Sequence, residues 1–196
     1  MQKTGWQRAT HVLRLGVAAT LAAACTGESP LGVGIDTARA AAAFAAAGDT
    51  KRGPDLGACD QLRAPEGSVL AAHLYARGVQ LYRWDGVSWV FEGPSAELYA
   101  DAGFHGQVGT HFAGPTWVHR GGSTVRGSSP LACVVDANAI PWLLLRATPE
   151  PIPGVFGRVT AIQRVNTTGG KAPAVPGTAA GEVRRVPYTA EYYFYR

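Results

Sequence analysis

The sequence is short of charge and of cysteine. Charged residues make up 16% of its 196 positions, against ~25% in ordinary globular chains. Only three cysteines occur, Cys25, Cys59 and Cys133, and no two form a Cys-x-x-Cys pair. That spacing excludes a zinc ribbon or a thioredoxin-type redox centre. Gly-x-Ser-x-Gly, Ser-x-x-Lys and His-Glu-x-x-His are absent too, so neither nucleophilic catalysis nor a helical zinc site has a recognisable motif. No Gly-x-Gly-x-x-Gly opens a dinucleotide-binding unit, and no cofactor is expected. A long hydrophobic run is also lacking. The most extended uncharged apolar stretch is Leu15–Ala24, half the ~20 residues that a membrane-spanning helix requires.

One sign of charge is missing locally. Residues 1–24 carry Lys3, Arg8 and Arg14 and no acid, so the rest of the chain holds 15 basic against 14 acidic residues. The formal net charge of +4 thus belongs mainly to the first segment, and a basic nucleic-acid face is not expected. A basic start followed by a ten-residue apolar run is the form of a cleavable signal peptide, assigned to residues 1–24. Leu21-Ala22-Ala23-Ala24-Cys25 resembles a bacterial lipobox, which makes Cys25 the expected acylated residue. Ordinary cleavage among the alanines is the alternative. The excess of arginine over lysine, 15 to 3, agrees with a GC-rich bacterial source. By resemblance to lipoprotein sorting rules, Thr26 after the cysteine favours the outer membrane over a secreted or periplasmic fate. Residues 25–65 read as a lipid-anchored or flexible arm, with a short helix possible over the alanine-rich Ala38–Ala47.

From residue 66 to 196 the pattern has period two. Val79–Trp84 and Val87–Glu92 flank Asp85-Gly86, which predicts a two-residue hairpin pairing Trp84 with Val87, Tyr82 with Trp89 and Gln80 with Phe91. A second hairpin joins Ala96–Ala100 to Phe104–Phe112. A third joins Thr116–His119 to Ser123–Arg126 and sets His119 opposite Thr124. Further strands are expected over Pro141–Ala147, Val155–Asn166 and Tyr188–Tyr195. In Val155–Asn166, Val155, Val159, Ala161 and Val165 form the apolar face and Arg164 lies on the polar one, with Ile162 out of phase. The fold class is therefore all-β: one antiparallel sandwich or small barrel of about seven to ten strands, preceded by a signal segment and a flexible arm.

Chemistry-bearing residues are few. Cys59 and Cys133 can form one disulfide in an oxidising compartment or remain two free thiols. His105, His111 and His119 share parity and can converge across adjacent strands as metal ligands; hydrogen-bonded rim positions are the alternative. Most of the tryptophans and tyrosines are expected in the core. The terminal strand is aromatic on both faces, so either both are covered or one is a binding surface.

Six segments together carry a family resemblance: Gly78–Tyr82, Gly109–Trp117, Gly122–Val125, Ile140–Leu145, Arg164–Gly170 and Val186–Tyr195. Over roughly residues 66–196 the chain resembles the bacterial and fungal secreted family catalogued as domain of unknown function 3455. The resemblance implies a single extracytoplasmic β-rich domain and carries no catalytic residues with it. The leading functional expectation is non-catalytic binding of an envelope ligand (a glycan, a small molecule or a protein), with His111, Pro115 and Trp117 as candidate contacts. The membrane is met through the lipid anchor only. The rival expectation is a secreted metal-dependent hydrolase built on His105, His111 and His119.

Overall fold

The computed structural model describes residues 53–196; the signal segment, Cys25 and Ala38–Ala47 lie outside them. Eight strands follow in order: β1 (Leu70–Trp84), β2 (Trp89–Tyr99), β3 (Gln107–Phe112), β4 (Thr116–His119), β5 (Thr124–Cys133), β6 (Trp142–Pro149), β7 (Ala161–Gly169) and β8 (Val183–Tyr195). Each pairs antiparallel with the next, and β8 returns to β1 to close a barrel. Closure pairs every strand on both sides and so removes the exposed edges of an open sheet. The β1–β8 seam runs from Leu70↔Tyr195 to Arg83↔Val183.

The interior is filled unevenly. Ala72, Leu74 and Ala76 of β1 and Ala96 and Leu98 of β2 are buried in one cluster with Trp117, Tyr192 and Phe194. Ala72 and Leu74 pair directly with Phe194 and Tyr192 on the neighbouring β8, so small side chains leave room for the adjacent rings. The lower end of the barrel is plugged by the β6–β7 loop, whose Phe156 and Val159 are fully buried. Phe156 N–H donates to Ser123 Oγ at 3.2 Å, fastening the plug to the β4–β5 turn. This loop occupies part of the strand expected from Val155. Gly154 has φ +143°, and a Cβ there would lie 2.8 Å from the Ser123 side chain, so the chain must turn before β7 can begin at Ala161.

A second apolar cluster covers the outer wall. Leu56, Cys59 and Leu62 pack on Ala161, Val165, Tyr193 and Tyr195, with Trp142 and Leu144 beside them. A single 3-10 turn, Asp60–Leu62, shapes this segment, which falls within the stretch read as an arm. Gln163 bridges the layers: its Nε2 donates to Leu62 O at 2.6 Å and its Oε1 accepts from the Tyr195 hydroxyl at 2.5 Å. Cys59 and Cys133 are joined by a disulfide, with Cα atoms 5.9 Å apart. Their sequence separation of 74 gives a loop-closure contribution of about 4 kcal/mol in the chain-entropy treatment. Both faces of β8 are therefore covered, Tyr192 and Phe194 inside the barrel and Tyr193 and Tyr195 beneath the N-terminal segment.

Register departs from the sequence expectation in the first hairpin. The loop is four residues, Asp85–Ser88, because the Asp85 carboxylate accepts from both Val87 N–H and Ser88 N–H at 2.7 Å. Trp84 then faces Trp89 and Tyr82 faces Phe91. This slip of two residues preserves the face of every side chain, so the aromatic grouping survives while its partners change. Beyond Phe91 the pairing is interrupted by a bulge, and Gln80 meets Pro94. β2 runs through Gly93-Pro94 as one strand instead of two, the proline sitting beside the bulge where a ladder is already disrupted. Gly93 has φ +142°, and a Cβ there would come within 2.6 Å of Ala113 Cβ. In the third hairpin Val118, not His119, faces Thr124. His119 lies opposite Gly109, and its N–H donates to Ser123 O at 2.9 Å.

Candidate functional site

At the upper end, opposite the Phe156 plug, the barrel opens into a cavity of about 380 Å³. Its inner wall is made by the inward side chains of Gln80 (β1), His111 (β3), Trp117 (β4), Leu143 and Leu145 (β6), Arg164 (β7) and Tyr192 (β8). Two irregularities shape its rim. The β2 bulge leaves Glu92 as an extra residue, and the β5 bulge inserts one residue around Ser129-Pro130, where Ser129 takes φ +48°. Such bulges bend a barrel wall and re-aim its side chains. The β3–β4 turn adds Gly114 and Pro115. A second hollow of about 440 Å³ lies at the opposite end and is walled mainly by the exposed loop from Pro151 to Arg158.

The cavity centres on three stacked and edge-packed rings. His111 lies parallel to Trp117, with ring centroids 4.2 Å apart and planes 6° apart. Tyr192 meets both edge-on at 5.2 and 5.4 Å. His111 Nδ1 is 2.9 Å from Thr116 O. A carbonyl only accepts, so Nδ1 carries the proton and Nε2 is left as an acceptor. Burial pushes the His111 pKa down to about 3; the Thr116 bond opposes this and the Arg164 charge adds to it. The imidazole is neutral at any ordinary pH. Burial likewise raises the phenols of Tyr188 and Tyr192, keeping both protonated. These two hydroxyls and the Arg164 guanidinium sense one another electrostatically, yet neither hydroxyl has a partner in hydrogen-bond geometry.

The polar groups here are poorly matched. Gln80 Nε2, Trp117 Nε1 and Tyr192 Oη are buried without a hydrogen bond, and all three residues line the cavity. Each such group costs on the order of 1–3 kcal/mol. Arg164 uses Nε and Nη2 on one acceptor, Pro141 O, at 3.2 and 2.8 Å. Among the described residues no carboxylate lies within 4.0 Å of it. Glu92, the acid on the rim, is bonded to Arg83.

A family model described as "Protein of unknown function (DUF3455)" matches residues 65–196. The chain belongs to that family. No curated protein and no solved structure matches it. In this DUF3455 protein the three residues singled out for binding, His111, Pro115 and Trp117, all line the barrel-mouth cavity.

The three histidines named as metal ligands are not brought together. His105 stands in the β2–β3 loop with its side chain 83% exposed, paired with Asp101 at 3.0 Å. It lies outside any strand, so parity does not aim it at the others. His111 is spent on Thr116 and Trp117. His119 accepts from Gly121 N–H at 3.1 Å and packs edge-on against Phe156, near the plug. Burial lowers its pKa, and the Arg120 charge adds to that. Among the described residues no group of three or more His, Cys, Asp or Glu is placed to hold a metal ion.

Sequence reasoning missed Gln80, Arg164 and Tyr192 as cavity residues. For Arg164 a signal existed. Ile162 broke the expected alternation because Ile162 and Arg164 are the inward residues of β7, pairing with Leu145 and Leu143. The small apolar residues Ala161 and Val165 face outward, beneath Leu56 and Leu62.

Proposed function

We propose that this DUF3455 protein is a non-catalytic binding protein of the bacterial envelope that holds one small, largely apolar molecule in the mouth of its barrel. The observation that carries this reading is the cavity itself. Eight-stranded barrels either fill their interior with side chains or keep room for one small ligand, and here one end is plugged while the other is open. A concave chamber of this size suits a small molecule better than a protein surface. A polysaccharide would need an open, polar groove; here Leu143, Leu145, Pro94 and Pro115 make the walls mainly apolar. The absence of a binding motif for nucleic acid and the near balance of charge after residue 24 fit the same picture.

The address is part of the proposal. The Cys59–Cys133 disulfide suits an oxidising compartment, and Cys25 after an apolar signal suits acylation and anchorage of the β domain to the envelope.

Leu143→Trp tests the binding reading by filling the chamber from β6. A fluorescent probe with apolar rings and one sulfonate, 1-anilinonaphthalene-8-sulfonate, is expected to bind the native barrel. The variant should lose that binding while retaining its far-ultraviolet circular dichroism and cooperative melting. Equal binding by a folded Leu143→Trp protein would place the probe elsewhere and remove the cavity from the account.

A further inference from the structure

Resting on the cavity reading above, we infer that the natural ligand is an apolar monocarboxylate whose acid group is held by Arg164. Donors and acceptors around the cavity are mismatched. A guanidinium carries five N–H donors and a permanent charge, and Arg164 satisfies that charge with no acid and bonds only one carbonyl, Pro141 O. A cation drawn into a barrel wall between Leu143 and Tyr192 is costly unless something negative accompanies it. Among the described residues none around the cavity supplies that charge. Glu92 is engaged by Arg83, and the phenols of Tyr188 and Tyr192 are held in their protonated form.

The remaining polar atoms point the same way. Trp117 Nε1 can only donate, and Gln80 Nε2 is likewise a donor; both are buried without an acceptor. A ligand that brings two oxygen acceptors and one negative charge satisfies all of these at once. A carboxylate matches the planar fork of an arginine in two parallel bonds. A cationic ligand would be repelled, and a neutral one would leave the guanidinium uncompensated. One unpaired positive charge also favours a monoanion over a phosphate monoester, which carries nearly two negative charges at neutral pH.

Calorimetric titration of the purified chain with octanoate, octanamide and octylammonium tests this. Octanoate is expected to bind at least tenfold tighter than octanamide, a difference of about 1.4 kcal/mol, and octylammonium not at all. Arg164→Met should abolish the preference by bringing octanoate down to the affinity of octanamide, and Arg164→Lys should retain most of it. If octanoate and octanamide bind the native protein equally, and both are displaced by Leu143→Trp, the carboxylate inference falls while the cavity reading stands. Should none of the three bind, both readings fall. The native comparison decides the matter even if Arg164→Met does not fold.

Discussion

Two glutamines, each 1% exposed, occupy opposite faces of the barrel wall and should respond to the same substitution with opposite sign. Gln80 points into the cavity, and its Nε2 has no hydrogen-bond partner. Gln163 points outward beneath the N-terminal segment and joins Leu62 O to the Tyr195 hydroxyl. Methionine has nearly the same length and volume as glutamine, so neither change opens a large cavity. Gln80→Met removes a buried amide N–H₂ group that nothing satisfies, a burden of about 1–3 kcal/mol, and the ligand-free protein should gain about 1–2 kcal/mol. Gln163→Met deletes two bonds and strands a carbonyl and a phenol, so a loss of about 2–4 kcal/mol is expected. Urea unfolding with an unchanged m-value is the appropriate assay, because the midpoint then reports stability alone. In a domain of this size each kcal/mol also moves Tm by about 2–4 °C. Destabilisation of Gln80→Met comparable to that of Gln163→Met would refute the reasoning, since it would mean that the Gln80 amide has a partner in the free protein.

Protonation provides a second prediction. His111 has its folded-state pKa pushed down to about 3, below the ~6.5 of an unfolded histidine. Only the unfolded chain takes up this proton between those values, so stability should fall as pH drops from about 6.5 towards 3, by about 4–5 kcal/mol at most. His119 shifts in the same direction and adds to the trend. His111→Phe, which retains an aromatic ring for Trp117 to stack on, should flatten this part of the stability–pH curve; an unchanged slope would show that the imidazole is not buried in its neutral form. The envelope address is tested separately. Native protein should fractionate with membranes and Cys25→Ser with the soluble fraction, whereas identical partitioning of the two would remove the lipid anchor.

Much of the fold was legible in the sequence because alternation and turn residues are local signals. Asp85-Gly86 marks a reversal correctly, and the all-β class follows from the run of strands after residue 66. The loop length did not follow, because it depends on which amide hydrogens the Asp85 carboxylate captures. Faces were harder to read than strands. On β7 the apolar residues Ala161 and Val165 lie outside the barrel and Arg164 inside, an inversion possible only because the segment around Leu56 and Leu62 covers the outer wall. No pattern within β7 reveals that a segment far upstream in sequence covers its outer face. The candidate site was legible in part for a related reason. His111, Pro115 and Trp117 sit close together in the chain, around one tight turn, whereas Gln80, Arg164 and Tyr192 reach the cavity only through barrel closure. The histidine triad failed on the same ground, since parity operates within paired strands and His105 belongs to a loop.

The most direct test of the central claim is the indole N–H resonance of Trp117 in a two-dimensional nitrogen–proton NMR spectrum, assigned by its loss in Trp117→Phe. Trp117 Nε1 is buried without an acceptor at the cavity wall, so titration with octanoate should move this resonance downfield in a saturable manner as an acceptor arrives. The indole signals of Trp84 and Trp142, which do not line the cavity, should stay in place. A Trp117 resonance unmoved at millimolar octanoate, or one that shifts equally in Leu143→Trp, would contradict the assignment of the barrel mouth as a ligand site.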